Sequence, residues 1–430
     1  MDPLYERARQ LMLANRRTNE LGGKVYTYTV PSPISYPFQW FWDSCFHAII
    51  LTRLGDLDQA KAEIESLLAW QDKDGFMAHI IFWDTTKMEL HPWHWNWLET
   101  KPFFSFLPFM PKPRISAEIQ SPVIAQAVEQ IANVSQDKLW LKKVLPKLAL
   151  YYDWLEKYRD ADQDSLITII ASFESGLDQS PAYDPVLGLN PEKPPTAKEI
   201  LKRNKQVSLW HSLIGYHPKL ILALEKFLVE DVLVNSIYAQ GLTSLARLME
   251  SCGQIEEAKR FKNRAKKVTA ALLAKCWDEK AGFFWNLYSK KEKQAKVKTI
   301  IGLMPLIIED LPKEVAKRLV EEHLLNTNEF FLPFPIPSVA RDEKTFSPSG
   351  VEKDGSASPL WRGTTWINTN WFIIQGLRQH GYTELANELS QKTIQLVARH
   401  GFREYYDPIT GEPGPKSAEN FGWSALVVDL

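Results

Sequence analysis

The chain has 430 residues, and its 51 lysines and arginines nearly balance its 52 aspartates and glutamates. A net charge near zero argues against a nucleic-acid-binding protein, which needs a basic excess to neutralise phosphates. Hydrophobic residues make up 45% of the chain and charged residues 24%, which excludes a chain that is disordered throughout.

The chain start and the cysteines indicate the cellular setting. The first residues are charged and lack the apolar segment of a signal peptide, and no run of apolar residues is long enough to predict a membrane-spanning helix. Cys45, Cys252 and Cys276 lie far apart and show neither a disulfide framework nor zinc-binding spacing. We expect a cytoplasmic protein without a membrane or nucleic-acid partner. The oligomeric state is left open, with a homo-oligomer as one option.

Three segments share a pattern that predicts pairs of helices. In each, a glycine is followed five residues later by an alanine, then by apolar residues at steps of three and four, and finally by Gly-Phe. The segments run over 55–76, 253–283 and 381–402. Because a glycine commonly ends one helix before the next begins, each segment predicts a helical hairpin. The recurrence predicts one all-α domain over residues 1–430, with a short strand pair near Phe283–Tyr288.

Long loop-like segments separate the hairpins, around 83–121, 171–205 and 331–360. Loops of this length are uncommon unless they carry function, so we expect them to line one face of the helical ring. The chain also has 16 tryptophans, many of them beside polar and turn-forming residues. Such clusters are typical of a concave site for the flat face of a sugar.

Two motifs set polar side chains among aromatic ones. Trp40, Trp42 and Asp43 precede an apolar helix, where Asp43 suits either a sugar hydroxyl or the helix N-terminus as a cap. The second motif, 361–371, interleaves tryptophans with Arg362 and two asparagines, which a buried helix accepts only when they are hydrogen-bonded. We interpret this motif as a binding segment.

Loop carboxylates are the candidates for acid–base chemistry. Asp178 lies four residues after Glu174, whose charge would raise the pKa of Asp178 as a general acid needs; the alternative is a capping or turn aspartate. Glu404 lies between a predicted helix end and a turn-rich loop, where it would activate water; the alternative is a solvated glutamate. Glu419 competes with Glu404 as the second carboxylate.

The sequence offers no cofactor motif. His91 and His94 stand three apart, but no metalloprotease-type carboxylate accompanies them. Neither a phosphate-binding glycine loop nor a dinucleotide fingerprint occurs. We therefore predict no metal and no cofactor.

Five short motifs follow one another in a fixed order. They are Trp40-Phe-Trp-Asp43, Glu174-Ser-Gly-Leu-Asp178, Trp361-Arg-Gly-Thr-Thr-Trp-Ile-Asn368, Glu404-Tyr-Tyr with Thr410-Gly-Glu, and Phe421-Gly-Trp-Ser. Together they resemble glycoside hydrolase family 63, and more narrowly its small bacterial members that hydrolyse mannosylglycerate and glucosylglycerate. The resemblance runs from about residue 30 to the end of the chain.

The resemblance implies an (α/α)6 barrel and hydrolysis with inversion at the anomeric carbon. It implies that Asp178 is the general acid and that Glu404 is the base that deprotonates water. The sugar-binding residues that it implies are Tyr36, Trp40, Trp42, Asp43, Gln120, Trp361, Arg362 and Trp366.

The chain departs from the family pattern on the aglycone side. Leu360 stands where the family has a tyrosine, and Arg203 is left to hold a glycerate carboxylate, with Ile200 and Asn204 at the positions of expected tyrosines. We expect a small α-glucoside or α-mannoside as substrate, with glucosylglycerate and mannosylglycerate as the leading candidates. The alternatives are a neutral disaccharide or oligosaccharide, and a non-catalytic carbohydrate-binding protein.

Overall fold

Helices dominate the computed structural model of this chain, which describes residues 3–84, 100–101, 114–160, 162–190, 193–351 and 358–430. The α-helices are α1 (Pro3–Asn15), α2 (Phe41–Arg53), α3 (Leu57–Ala69), α4 (Ile124–Ser135), α5 (Lys138–Arg159), α6 (Ala197–Leu213), α7 (Pro218–Leu224), α8 (Val232–Ser251), α9 (Ile255–Ala271), α10 (Lys313–Arg318), α11 (Ile367–Gln379) and α12 (Thr383–His400). Shorter 3-10 segments span Ser172–Ser175, Pro181–Tyr183, Ile300–Ile307 and Gly422–Asp429, and π-helical turns span Leu272–Cys276 and Leu319–Leu324. Within the described ranges, no helix is long and apolar enough to cross a membrane.

All three predicted hairpins are confirmed. They are α2 with α3, α8 with α9, and α11 with α12, and the two helices of each pair pack against each other. In the three turns Gly55, Gly253 and Gly381 have φ of 82°, 78° and 84°. This left-handed conformation favours glycine, so the repeated glycine is the physical cause of the repeated turn.

A fourth hairpin, α4 with α5, was not predicted. Its turn holds Gln136 in the same left-handed region, at φ 51°, and Asp137 caps α5 by accepting the backbone N–H of Trp140. Because glutamine replaces the glycine, the sequence pattern does not reveal this turn.

Six helical segments form a closed ring in which each contacts the next. They are α2, α4, α8, Ile300–Ile307, α11 and Gly422–Asp429, and the last of these contacts α2 again. Every residue of α2 from Phe41 to Thr52 is buried. A helix that is buried on all sides needs covering helices, and α1 and α3 both pack against α2.

Short strands lie between the helices, so the all-α prediction describes the helical core and not the connections. The strands are β1 (Arg16–Leu21), β2 (Lys24–Thr29), β3 (Gln39–Trp40), β4 (Ile80–Ile81), β5 (Thr100–Lys101), β6 (Ile115–Ser116), β7 (Thr168–Ile169), β8 (Val229–Glu230), β9 (Trp277–Asp278), β10 (Phe283–Phe284), β11 (Asn286–Tyr288) and β12 (Lys293–Ala295). Four antiparallel groups result, ordered β1-β2, β3-β4-β6-β5, β7-β8-β11-β12 and β9-β10. The strands expected over Phe283–Tyr288 are present, but they pair with other strands and not with each other.

The predicted loop over 171–205 ends earlier than expected. Helix α6 begins at Ala197 behind a capping box, in which Thr196 accepts the backbone N–H of Glu199 and Glu199 accepts that of Thr196. Most of 83–121 lies outside the described residues, whereas 331–351 contains no helix or extended strand.

Candidate active site

Side chains near the N-terminal ends of four of the six ring segments meet in one cavity. Asp43 lies in the first turn of α2, Gln120 precedes α4, Trp366 precedes α11, and Phe421 precedes Gly422–Asp429. The cavity is narrow, with an enclosed volume of about 40 Å³. Its described lining residues are Pro31, Tyr36, Trp40, Trp42, Asp43, His79, Gln120, Gly176, Asp178, Leu360, Trp361, Trp366, Glu404, Phe421 and Trp423.

Glu404 is a deeply buried carboxylate of this cavity, 5% exposed. Its Oε1 accepts a hydrogen bond from the Tyr36 hydroxyl at 2.7 Å, and its Oε2 accepts the backbone N–H of Ala418 at 3.3 Å. Burial raises the pKa of Glu404 to about 7, although both hydrogen bonds oppose this shift. A carboxylate with a pKa near neutrality is suited to take a proton from water.

Asp178 faces the same cavity from a loop that fits tightly over Trp42. The 3-10 segment Ser172–Ser175 ends at Gly176, which has φ 82°. A Cβ atom at Gly176 would lie 2.4 Å from the Trp42 ring, so both the backbone conformation and the available space require glycine. Asp178 itself is half-buried.

Tyr36 connects the two predicted catalytic carboxylates electrostatically. Burial first, and then the charges of Glu404, Asp178 and Asp43, raise the pKa of the Tyr36 hydroxyl well above its usual value. These carboxylates therefore lie close enough to the hydroxyl to act on it, and Tyr36 stays a neutral donor at physiological pH.

Glu174 has protein partners that the sequence did not predict. Arg159 binds the Glu174 carboxylate with two nitrogens at 2.7 and 2.6 Å, and the backbone N–H groups of Ile119 and Ile170 donate to it at 2.8 Å each. These bonds fix Glu174 at the start of the loop that carries Asp178. The influence of Glu174 on the pKa of Asp178 stays a prediction.

Arg362 was predicted to contact the sugar, but the structure gives it protein partners. Its Nε donates to the Gln179 carbonyl at 2.9 Å, and its two Nη atoms donate to Asp184 at 2.9 and 2.6 Å. The Gln179 side chain in turn accepts the backbone N–H of Leu360. Arg362 therefore ties the loop that carries Asp178 to the Trp361–Trp366 wall, and it is not among the described lining residues.

Tryptophans form the apolar walls of the cavity. The rings of Trp361 and Trp366 stack with centroids 3.6 Å apart and an interplanar angle of 11°. Trp423 meets Trp366 and Trp42 edge-on, at 5.9 and 5.6 Å. Trp361 has φ 62°, a left-handed backbone conformation that is unfavourable for a bulky residue.

The start of α2 brings Asp43 into the cavity. Gln120 accepts the backbone N–H of Trp42 at 2.9 Å, and the N-cap residue is Trp40, so the alternative of Asp43 as a cap is wrong. Asp43 is 3% exposed, and its Oδ1 has no hydrogen-bond partner in the described part of the chain. Burial raises its pKa well above the usual value. A sugar hydroxyl would satisfy this oxygen.

Two predicted or competing residues lie away from the cavity. Glu419 has a 69% exposed side chain and pairs with Arg403 at 2.7 Å, so Glu404 and not Glu419 is the cavity carboxylate. Arg203 lies on the exposed surface of α6, and the structure does not bring it to the described lining.

The sequence prediction missed six lining residues, which are Pro31, His79, Gly176, Leu360, Phe421 and Trp423. Burial lowers the pKa of His79 to about 3, so this ring is neutral, and it lies edge-on to Trp40 at 4.9 Å. Phe421 and Trp423 belong to one of the five motifs, which was a usable signal, whereas His79 belongs to none. His91 and His94 lie outside the described residues.

Comparison with known proteins agrees with this geometry. Residues 36–424 match the family described as mannosylglycerate hydrolase MGH1-like glycoside hydrolase domain. A mannosylglycerate hydrolase of Thermus thermophilus is 30% identical over 93% of this chain and 95% of its own, and a glucosylglycerate hydrolase of Mycolicibacterium hassiacum is 26% identical over 96% and 94%. The crystal structure of a family 63 mannosylglycerate hydrolase from Thermus thermophilus, in complex with Tris and D-glycerate, superimposes with a TM-score of 0.81 over 99% of both chains at 28% identity. The chain therefore belongs to this MGH1-like family of glycoside hydrolases, within glycoside hydrolase family 63, and is a glycosidase.

Proposed function

We propose that this glycosidase hydrolyses a small α-glycoside of glycerate, glucosylglycerate or mannosylglycerate, with inversion at the anomeric carbon. The observation that carries the proposal is a buried Glu404 with a pKa of about 7 in the same aromatic-walled cavity as Asp178. Relatives named as mannosylglycerate and glucosylglycerate hydrolases, similar over almost the whole chain, support the substrate class.

In the proposed reaction Asp178 protonates the leaving oxygen and Glu404 takes a proton from the attacking water. Inversion requires the water on the face of the sugar opposite the leaving group, so we expect the two carboxyl groups to stand roughly 6.5–9.5 Å apart in the substrate complex. Tyr36 would orient Glu404, and Asp43 would accept a sugar hydroxyl. The aromatic walls would pack on the apolar faces of the ring.

We further propose that the six-membered ring of helical segments is the inner layer of an (α/α)6 barrel that forms a single domain. Four two-helix hairpins and helices packed outside the ring support this reading. The cytoplasmic location and a homo-oligomeric state stay predictions.

The aglycone is the part of the substrate that needs a test of its own. A crystal of the Thermus relative contained D-glycerate and another contained glucose, which supports a glycerate-sized aglycone beside a hexose subsite. Against this, no arginine or lysine is among the described lining residues, which favours the second candidate, a neutral disaccharide. For a glycerate carboxylate we retain Arg203 as the proposed partner, which requires α6 to approach the cavity.

A substrate panel tests the proposal directly. Glucosylglycerate, mannosylglycerate, glucosylglycerol, trehalose, kojibiose and maltose are offered with and without phosphate, and NMR follows the anomer released first. We expect β-sugar from a glycerate glycoside, loss of nearly all turnover in Asp178→Asn and Glu404→Gln, and little loss in the matched control Glu419→Gln.

The other outcomes are equally informative. If only neutral disaccharides are cleaved, the proposed glycerate substrate is wrong, while the proposed roles of the two carboxylates stand. Release of α-sugar first would contradict inversion. Full turnover in Asp178→Asn would contradict the assignment of the acid. Arg203→Ala should raise KM for glucosylglycerate and not for glucosylglycerol; an equal KM for both would remove Arg203 from the site.

A further inference from the structure

Four carboxylates meet at a place that the proposed hydrolysis does not use. Asp162, Asp164, Glu230 and Glu292 each present an oxygen, and these oxygens all lie within 4.8 Å of one another. None of the four lines the sugar cavity. They come from the loop after α5, from β8 and from the turn between β11 and β12, so the cluster joins distant parts of the chain.

The loop after α5 has the spacing of a calcium-binding loop. Asp160, Asp162 and Asp164 alternate, as do the first three ligands of a calcium loop of the EF-hand type. The Asp160 carboxylate accepts the backbone N–H groups of Asp164 and Ser165 at 3.0 and 3.1 Å. Ser165 has φ 81° at the sixth position of the loop, where calcium loops place an invariant glycine for the sharp turn.

Glu230 supplies an independent observation that points to a ligand. Its side chain is 9% exposed, and its Oε2 is buried with no hydrogen-bond partner in the part of the chain that the structure describes. A buried carboxylate oxygen without a partner is strongly unfavourable unless a cation compensates it. Glu230 belongs to the cluster, so a cation bound there would compensate this carboxylate.

The charge within the cluster is not balanced by the protein. The Lys275 ammonium contacts Asp164 at 2.5 Å and Glu292 at 3.0 Å, which sets one positive charge against four carboxylates.

We propose that Asp162, Asp164, Glu230 and Glu292 bind one calcium ion that stabilises the fold, with the Lys275 ammonium as an internal competitor for the carboxylates of Asp164 and Glu292. An all-oxygen carboxylate set suits a hard cation and lacks the nitrogen or sulfur ligands that zinc prefers. Calcium tolerates irregular coordination with water in the remaining positions, whereas magnesium demands a near-ideal octahedron. Asp162, Glu230 and Glu292 also line an open cavity, which gives the ion a path from solvent.

The full chain, treated with EDTA and then dialysed, is titrated with calcium chloride by calorimetry and melted with and without the ion. We expect one ion per chain, a melting temperature higher by about 3 °C at 100-fold excess over Kd, and a smaller effect of magnesium chloride. Lys275→Met should tighten calcium binding about tenfold, because the competing ammonium is gone.

Glu230→Gln should lose both the heat of binding and the thermal shift, yet melt in EDTA no lower than the original chain, because a buried unpaired charge has been removed. The matched control Glu256→Gln, an exposed carboxylate on α9, should bind calcium unchanged. The proposal is overturned if the original chain shows neither heat nor shift, if the shift survives in Glu230→Gln, or if only Lys275→Met binds the ion. Turnover plays no part in this readout, so its outcome is independent of the proposed hydrolysis.

Discussion

At the scale of single residues, Glu404 and Asp178 reach the cavity in different environments although both lie in loops. Glu404 is buried and accepts two hydrogen bonds, whereas Asp178 is half-buried on a tight loop. Burial raises the pKa of Glu404 to about 7, which suits its proposed role as a base that takes a proton from water near neutral pH.

Tyr36→Phe should move the acid limb of the kcat/KM profile to higher pH. The Tyr36 hydroxyl stabilises the charged form of Glu404, so its loss raises the Glu404 pKa, and the base is then protonated over a wider pH range. We expect a shift of about 1 pH unit, with the activity at pH 6–7 reduced more than the activity at pH 8–9.

Tyr28→Phe is the matched control for this measurement. Tyr28 is also buried, but its hydroxyl donates to Asn19, and it does not line the cavity. Its acid limb should stay in place. If the pH profile of Tyr36→Phe coincides with that of the original chain, Glu404 is not the group whose ionisation sets the acid limb.

Glu404→Gln should stabilise the fold at alkaline pH while removing turnover. The pKa of Glu404 in the folded chain, about 7, lies above the ordinary 4.5, so the folded state loses stability as the pH rises from 4.5 to 7. The glutamine lacks this penalty, and its free energy of unfolding at pH 8 should exceed that of the original chain by up to about 3 kcal/mol. Denaturant unfolding at pH 4.5 should show no such gain, and the exposed control Glu419→Gln should show none at either pH.

The sequence identified most residues of the site but not what each one touches. The 361–371 motif was interpreted as a binding segment, and its Trp361 and Trp366 do line the cavity. That Arg362 binds Asp184 instead, 178 residues away, depends on the closed fold. Glu174 was read as a neighbour of Asp178 because the two are close in sequence. Its partner Arg159 lies at the end of a preceding helix, and no local pattern links them.

At the scale of elements, the helical hairpins were predictable wherever a glycine occupies the left-handed turn position. The α4–α5 turn escaped because its residue, Gln136, adopts φ 51° without being glycine. The Asp160–Asp164 alternation also went unnoticed, since glycine does not mark its sharp turn either. In both cases the backbone conformation is set by surrounding contacts and not by the local residue type.

Gln136→Gly should therefore stabilise the protein by about 1 kcal/mol, because glycine adopts the left-handed conformation without the steric cost of a side chain. Gly253→Ala, at the equivalent turn between α8 and α9 with φ 78°, should lose a similar amount. Urea unfolding of the two variants should show changes in the free energy of unfolding that are similar in size and opposite in sign. If Gln136→Gly loses stability, the hydrogen bond from the glutamine side chain to the Asn133 carbonyl stabilises the fold by more than the left-handed backbone conformation destabilises it.

At the scale of the whole molecule, the cavity exists only because the ring closes. Its residues come from loops and from the beginnings of segments spread from α2 to the last 3-10 segment, and closure brings Tyr36 to Glu404, 368 residues apart. Sequence reasoning gave the hairpins and, through the five motifs, the family. The order of segments around the ring and the separation of the carboxylates follow from long-range packing that no local pattern encodes.

The Arg362–Asp184 pair offers a test of how this closed architecture supports the site. Arg362→Met alone leaves the buried Asp184 without its partner and should cost about 3–5 kcal/mol of unfolding free energy. Adding Asp184→Leu removes the stranded charge and should restore most of that stability. Turnover should stay low in the double variant, because no donor then holds the Gln179 carbonyl beside Asp178.

The free energy of unfolding and kcat are measured on both single variants and on the double variant. If turnover returns together with stability, Arg362 only stabilises the fold. If stability returns without turnover, Arg362 positions the loop that carries Asp178, the proposed general acid.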